Sequence, residues 1–202
     1  METETPLLII NNIYKSFGHV QALRGASFSA PRGKVTAIVG DNGSGKSTLA
    51  KIISGCLKPD SGEITINGRT YTSLTNHQAI CEGNIATVYQ DLALDNLKNA
   101  YENIFLGRED IHFGVFLNRK KMREKAAALF QALAIDIPDM ELPVGSMSGG
   151  QRQAIAIARA IDMDRQILIF DEPTSAMGMK ETQHTMDLFQ RLKDEGRTIL
   201  LI

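Results

Sequence analysis

The sequence predicts an α/β fold with a mostly parallel β-sheet, an antiparallel β layer at the N-terminus and an inserted helical subdomain. Three observations favour this fold. Residues 35–39 form an apolar run that leads through a glycine-rich stretch into a helical segment at 48–54. Ile167–Phe170 is wholly apolar, as expected of a parallel strand buried on both faces. Residues 92–144 contain few strand-like runs and one strongly periodic helical segment.

The N-terminal β layer is predicted from two short apolar runs, at residues 7–10 and 26–29, with a turn near Gly18 between them. Phe17 lies in this layer. A lone aromatic residue in a β layer more often belongs to the core than to a ligand site. From the residues alone, we therefore predict that Phe17 is buried.

A glycine-rich motif follows the run at 35–39 and fits the phosphate-binding loop pattern G-x-x-x-x-G-K-[ST] at every defined position. Its residues are Gly40, Asp41, Asn42, Gly43, Ser44, Gly45, Lys46, Ser47 and Thr48. Glycines let backbone N–H groups approach phosphate oxygens closely. Lys46 can reach the β- and γ-phosphates, Ser47 offers a hydroxyl to Mg²⁺, and the helix that begins here adds its positive N-terminal dipole. The motif predicts a P-loop NTPase core that binds ATP and Mg²⁺.

Length, charge and composition indicate what to expect of nucleic-acid binding, membrane spans and the cysteines. A chain of 202 residues with a net charge of -1 fits one domain and lacks the basic character of most nucleic-acid-binding proteins, so we expect no nucleic-acid partner. The sequence has no run of about 18 apolar residues, and its N-terminus is acidic, so we expect a cytosolic chain that meets a membrane only through partners. Cys56 and Cys81 are far apart in sequence, which predicts two buried, reduced thiols.

The middle of the chain alternates between strands and helices. Residues 63–66 alternate like a strand and precede Asn67-Gly68, a strong hairpin signal. Ile85–Val88 is a short apolar strand followed closely by Gln90. Arg119–Leu133 has apolar residues at helical spacing, and we predict that its basic residues form the solvated face of that helix.

Two further stretches carry candidate functional residues. Ser148, Gly149, Gly150 and Gln151 open a helix, and glycines at a helix start suggest a second anion site. The apolar strand Ile167–Phe170 ends in Asp171-Glu172, at the edge where such sheets bind ligands. Asp171 can hold Mg²⁺, and Glu172 can orient the water that attacks the γ-phosphate. A last helix at 180–195 stops at Gly196 and leads to a strand from Thr198.

The order of these motifs resembles the ATP-binding cassette of ABC transporters over nearly the whole chain. The stretch Ser-Gly-Gly-Gln, some twenty residues before an apolar strand and Asp-Glu-Pro-Thr, is highly specific to that family. The segments 102–109 and 175–178 resemble the cassettes of bacterial monosaccharide importers. The resemblance implies an ATPase that energises transport of a small solute, such as a sugar. The alternative is a soluble ABC-type ATPase that acts on ribosomes or nucleic acid.

The resemblance also implies partners and residue roles. Two cassettes would form a head-to-tail dimer, with each ATP between one phosphate loop and the partner's Ser-Gly-Gly-Gln. Phe17 would stack on adenine beside Val20, and Gln90 would contact Mg²⁺ and the attacking water. Membrane-spanning permease subunits, and indirectly a solute-binding protein, would place the chain at the cytoplasmic face of the cell membrane. Residues 1–202 would form one ATP-binding domain, with the helical subdomain at about 92–162.

Two departures from the family pattern carry expectations of their own. Gly178 stands where the family usually has an Asp that contacts the other subunit. The family's switch histidine, which follows the strand that begins at Thr198, has no counterpart before Ile202. The histidines lie elsewhere, at His19, His77, His112 and His184. We therefore expect a C-terminally shortened cassette that binds ATP but hydrolyses it poorly.

Overall fold

The computed structural model describes residues 6–112 and 116–202. In chain order the strands are β1 (Pro6–Phe17), β2 (Val20–Pro31), β3 (Val35–Ala37), β4 (Ser61–Ile66), β5 (Arg69–Tyr71), β6 (Ile85–Val88), β7 (Ile111–His112), β8 (Phe116–Leu117), β9 (Ile167–Phe170) and β10 (Thr198–Leu201). The helices are α1 (Lys46–Ile53), α2 (Asn76–Cys81), α3 (Ala100–Ile104), α4 (Arg119–Leu133), α5 (Gly149–Asp162) and α6 (Met179–Asp194), with a 3-10 turn at Val144–Ser146. The chain divides into two compact units, which are described separately.

The first unit comprises the residues up to Thr87, Arg165–Glu172 and Phe189–Ile202. One of its sheets is antiparallel and has the strand order β2-β1-β4-β5. The predicted short N-terminal strands are in fact a hairpin of two 12-residue strands. The ladder continues through polar Asn11 and Asn12 because the pairing register shifts between Ile10 and Ile13, where Asn12 takes a φ of 49°.

The second sheet of this unit has the order β3-β10-β9-β6, and β10 pairs in parallel with both β3 and β9. All four residues of β9 are buried, as its apolar composition requires. β6 and β9 begin and end at the predicted residues. Together, the parallel sheet, the antiparallel layer and the surrounding helices confirm the predicted fold class.

The prediction that both cysteines are buried is wrong. Cys56 and Cys81 are exposed in this structure. Cys56 follows the end of α1, and Cys81 is the last residue of α2, so both lie where a helix ends and not among its buried residues. The core of the unit is built from aliphatic side chains of the β1–β2 hairpin, α1 and the parallel strands instead.

The second unit comprises Val88–Asp164 and Pro173–Leu188, and it contains α3, α4, α5 and the first part of α6. The predicted helix Arg119–Leu133 is confirmed at both ends. Its basic residues are exposed, as predicted, and its buried residues are Met122, Ala126, Phe130 and Leu133. The short helix α3 and the hairpin β7–β8 were not predicted.

Candidate functional site

The phosphate-binding loop lies between β3 and α1, as the motif requires. Gly43 and Gly45 have φ values of 82° and 92°, a left-handed conformation that favours glycine. A Cβ at Gly45 would overlap the carbonyl oxygen of Ala22. The backbone of the loop therefore passes so close to β2 that position 45 requires a glycine. Gly43 and Ser44 of the loop also line an open cavity beside β2.

The side chain of Lys46 folds over the loop. Its Nζ donates hydrogen bonds to the carbonyl oxygens of Gly40 at 2.8 Å and Asp41 at 2.9 Å. These carbonyls belong to the same loop that the motif assigns to phosphate binding. Lys46 is thus held over the loop by neutral acceptors, which a charged phosphate oxygen can replace with a stronger, charge-assisted hydrogen bond.

The N-terminus of α1 lacks a side-chain cap. Its N-cap residue is Gly45, which forms no side-chain cap hydrogen bond. The first N–H groups of a helix have no partner within the helix. In α1 these donors and the positive end of the helix dipole are therefore open to an anion.

Ser47 and Asp171 bring the first turn of α1 to the end of β9. The Ser47 hydroxyl donates to Asp171 Oδ1 at 3.2 Å, and Asp171 is only 2% exposed. Hydroxyl and carboxylate oxygens are the hard ligands that Mg²⁺ prefers. The pair therefore fits the predicted magnesium site.

Glu172 follows Asp171 and has an unusual backbone. Its φ is 51°, in the left-handed region that non-glycine residues rarely adopt. Its N–H donates to the carbonyl oxygen of Ile202 at 3.0 Å, which fixes the backbone against the end of β10. Such strain concentrates at functional sites, which makes Glu172 a candidate beyond its position in the motif.

Phe17 and Val20 lie at the tip of the β1–β2 hairpin, with the turn Gly18-His19 between them. Phe17 is 50% exposed and Val20 is 66% exposed. The prediction from the residues alone, that Phe17 is buried in the core, is therefore wrong. The ring lies at the end of β1, and Lys15 Nζ lies 5.6 Å from its centroid.

In the second unit, Ser148 and Gln151 form a reciprocal cap at the start of α5. Ser148 Oγ accepts from the Gln151 N–H at 3.1 Å, and Gln151 Oε1 accepts from the Ser148 N–H at 2.9 Å. Gly150 is packed tightly, because a Cβ there would lie 2.5 Å from Glu181 Oε2. The same carboxylate oxygen accepts the Gly178 N–H at 2.9 Å.

Gln90 is exposed and lies two residues after the end of β6. The backbone that follows it is held from α5, where Arg159 donates to the carbonyl oxygens of Leu92 and Ala93. Sequence reasoning did not identify Glu181 or Arg159. The only signal was that both are charged residues within helices, and many exposed residues share that property.

The structure brings the phosphate loop, Asp171 and Glu172 together within the first unit, and it places Gln90 and Ser148–Gln151 in the second. Across residues 6–112 and 116–202, no group of three or more His, Cys, Asp or Glu side chains could hold a metal ion. In the same ranges, no helix is both long and apolar enough to cross a membrane.

Comparison with known proteins gives one family. The family model described as "ABC transporter" matches residues 23–175. The xylose/arabinose import ATP-binding protein XylG of Sulfolobus acidocaldarius is 45% identical over 97% of this chain and 77% of its own length. The arabinose import ATP-binding protein AraG of Pseudomonas fluorescens is 40% identical over 96% of this chain, which spans only 37% of that relative.

Solved structures agree in fold. A nucleotide-free ATP-binding cassette from an ABC transporter has a TM-score of 0.84 and 28% identity, covering 98% of this chain and 81% of that one. A dimeric ATP-binding cassette in a post-hydrolysis state, bound to ADP and Pi, has a TM-score of 0.82 and 27% identity, covering 96% and 86%.

Proposed function

This chain belongs to the ABC transporter family of ATP-binding proteins, and on that premise we propose that it binds and hydrolyses Mg-ATP to drive uptake of a sugar. Family membership confirms the resemblance inferred from the motifs. The observation that carries the proposal is the Ser47–Asp171 contact, which joins the phosphate loop to an acidic strand end.

The residues of the first unit have separable roles in this proposal. The N–H groups at the start of α1 and the Lys46 ammonium bind the phosphates, and Phe17 and Val20 hold the adenine. Ser47 and Asp171 hold Mg²⁺, which neutralises phosphate charge when bound. Glu172 orients the attacking water and accepts its proton, because its carboxylate follows directly on the residue that holds the metal.

The second unit supplies the remaining residues. Gln90 contacts Mg²⁺ and the attacking water, and Ser148, Gly149, Gly150 and Gln151 bind the γ-phosphate of ATP on a second copy of the chain. Support comes from the solved relative described as dimeric with ADP and Pi. In this proposal residues 1–202 form one cassette, with the helical subdomain at about 92–162.

Sugar uptake is supported by the relatives. Those named above are import ATP-binding proteins for xylose, arabinose or both, and a fructose import ATP-binding protein of Rhizobium meliloti is 37% identical over 98% of this chain. We infer a pentose or hexose as solute, permease subunits and a solute-binding protein as partners, and the cytoplasmic face of the membrane as location. These relatives favour uptake over action on ribosomes or nucleic acid.

The test uses Glu172→Gln, which keeps the shape of the side chain but removes its proton-accepting carboxylate. We expect unchanged Mg-ATP affinity and single-turnover hydrolysis slowed about 100- to 1,000-fold. Cells of the source organism that carry only this variant should lose uptake of one labelled sugar. The wild-type protein, purified from gently solubilised membranes, should retain permease subunits. Wild-type turnover in the variant, or recovery with ribosomes or DNA, would contradict the proposal.

A further inference from the structure

We propose that Arg159 is a positioning residue that holds the backbone after Gln90 in the conformation needed for ATP hydrolysis. The inference rests on the proposed function, which gives Gln90 its role at the attacking water. Nothing in the family match or in the motifs singles out this arginine.

Arg159 bridges two consecutive carbonyl groups. Its Nη1 donates to the carbonyl oxygen of Ala93 at 2.9 Å, and its Nη2 donates to that of Leu92 at 2.7 Å. These residues lie two and three positions after Gln90. A guanidinium presents its donors in a rigid planar fork, so two hydrogen bonds fix both the position and the orientation of the segment.

The cation of Arg159 is held without an acidic partner. In the parts of the chain that the structure describes, Arg159 forms no ion pair, and the nearby carboxylate of Asp162 pairs with Arg108 at 2.9 Å. Burial, and after it the charge of Arg108, lowers the pKa of Arg159. A half-buried cation without a counter-ion is costly unless its hydrogen bonds are made. The carbonyl oxygens of Leu92 and Ala93 accept these hydrogen bonds.

The backbone that Arg159 contacts is strained. Ala93 has a φ of 48°, a left-handed conformation that an alanine adopts only at a cost in free energy. The next stretch is held separately by the buried Asn103, whose Nδ2 donates to the carbonyl oxygens of Asp95, Lys98 and Asn99. Arg159 therefore controls the part of the segment that is nearest to Gln90.

Helix α5 gives this contact a functional meaning. The helix begins at Gly149, directly after its N-cap residue Ser148, and carries Arg159 about three turns later. A helix is stiff along its axis, so a displacement of its N-terminus moves the guanidinium with it. Binding of ATP to Ser148–Gln151 then shifts the backbone at Leu92 and Ala93, which lie in the same unit.

The experiment compares Arg159→Lys with Arg197→Lys in the intact chain. Lysine keeps the charge but is shorter and lacks the rigid planar fork that fixes the orientation of both carbonyls. Arg197 is the matched control, because its Nη1 donates to a main-chain carbonyl, that of Arg165, at 2.8 Å in the first unit. Hydrogen–deuterium exchange of residues 90–98 is measured without nucleotide, followed by Mg-ATP affinity and single-turnover hydrolysis.

We expect Arg159→Lys to speed exchange at 90–95 by about tenfold, the effect of losing one charge-assisted hydrogen bond. Turnover should fall by about tenfold to a hundredfold with unchanged ATP affinity. Arg197→Lys should alter neither the exchange of this segment nor the turnover.

Three results would overturn the inference, and they differ in what else they contradict. Unchanged exchange at 90–95 would show that Arg159 does not hold the segment. Faster exchange with wild-type turnover would remove the positioning role while leaving the proposed function intact. A wild-type chain that binds no Mg-ATP would overturn the proposed function and the positioning role together, whatever the exchange shows.

Discussion

Helices α1 and α5 both begin at a glycine-rich stretch, but their first turns differ. The N-cap of α1 is Gly45, and no side chain caps it. The N-cap of α5 is Ser148, which forms a reciprocal cap with Gln151. Helix α1 therefore leaves the N–H groups of its first turn open to a ligand, whereas α5 pairs part of its first-turn N–H groups with its own side chains.

The difference shows that glycines at a helix start do not define one kind of anion site. We propose that the α1 terminus binds the phosphates of the ATP held by the same copy of the chain, with Lys46 already over the loop. At the α5 terminus, Ser148 Oγ already accepts one N–H of the first turn without a ligand. We propose that it offers its donors to ATP only when a second copy brings a phosphate to it.

Lys46→Ala should have the largest effect, because it removes the ammonium group that lies over the phosphate loop. We expect Mg-ATP affinity to fall at least about 100-fold, since charge-assisted bonds to phosphate are among the strongest. Titration calorimetry measures this. Lys51→Ala, in the last turn of the same helix, is the control and should bind normally. Equal affinity in the two variants would contradict an open phosphate site at α1.

Phe17→Ala separates adenine binding from phosphate binding at the same site. Loss of one stacking contact should weaken ATP binding by about 1 to 3 kcal/mol. Because Phe17 is half-exposed, the free energy of unfolding should change little. Competition between ATP and inorganic triphosphate reads out the difference, since triphosphate affinity should not change. An equal loss for both ligands would remove Phe17 from the adenine site.

Gly150→Ala tests the packing behind the α5 terminus. The added Cβ would lie 2.5 Å from Glu181 Oε2, the end of a flexible side chain, so the carboxylate turns away and loses the hydrogen bond from the Gly178 N–H, at a cost of about 1 kcal/mol in the free energy of unfolding. Gly178→Ala is the control, because its Cβ would lie 3.9 Å from the same oxygen. Urea unfolding gives both values. The double variant Gly150→Ala with Glu181→Ala should recover part of the loss, and strict additivity would contradict this contact.

Ser148→Ala removes the N-cap hydroxyl of α5. Loss of an N-cap hydroxyl costs about 1 kcal/mol in stability. Thr75→Ala is the control, because Thr75 and Gln78 form the same reciprocal cap on α2. Urea unfolding should give similar losses for the two variants, whereas only Ser148→Ala should weaken the proposed ATP-dependent dimerisation, which light scattering measures. Equal dimerisation would contradict a role for Ser148 beyond capping.

The sequence predicted best where one signal dominated. The apolar runs of β6 and β9 and the periodicity of α4 gave correct boundaries, because burial on both faces or on one stripe leaves a strong pattern. The β1–β2 hairpin was underestimated because Asn11 and Asn12 interrupt its apolar runs. The five-residue helix α3 was missed because it is too short for periodicity and depends on the Asn99–Glu102 cap.

The residues of the candidate site also differ in how well the sequence predicted them. Phosphate-loop and acidic-strand residues were readable because their chemistry requires fixed neighbours in sequence. The contact of Arg159 with Leu92 and Ala93, and that of Glu181 with Gly150, join residues far apart in sequence. Neither residue type nor sequence spacing predicts such contacts. The exposure of Phe17 was likewise decided by its place at a hairpin tip.

The most direct test of the contrast between the two helices is hydrogen–deuterium exchange with and without Mg-ATP, at protein concentrations below and above dimerisation. We predict that the amides of residues 44–48 become protected at every concentration. The amides of residues 149–152 should become protected only where light scattering shows dimers. Protection of 149–152 in the monomer, or none at 44–48, would contradict the account of one open and one self-capped terminus.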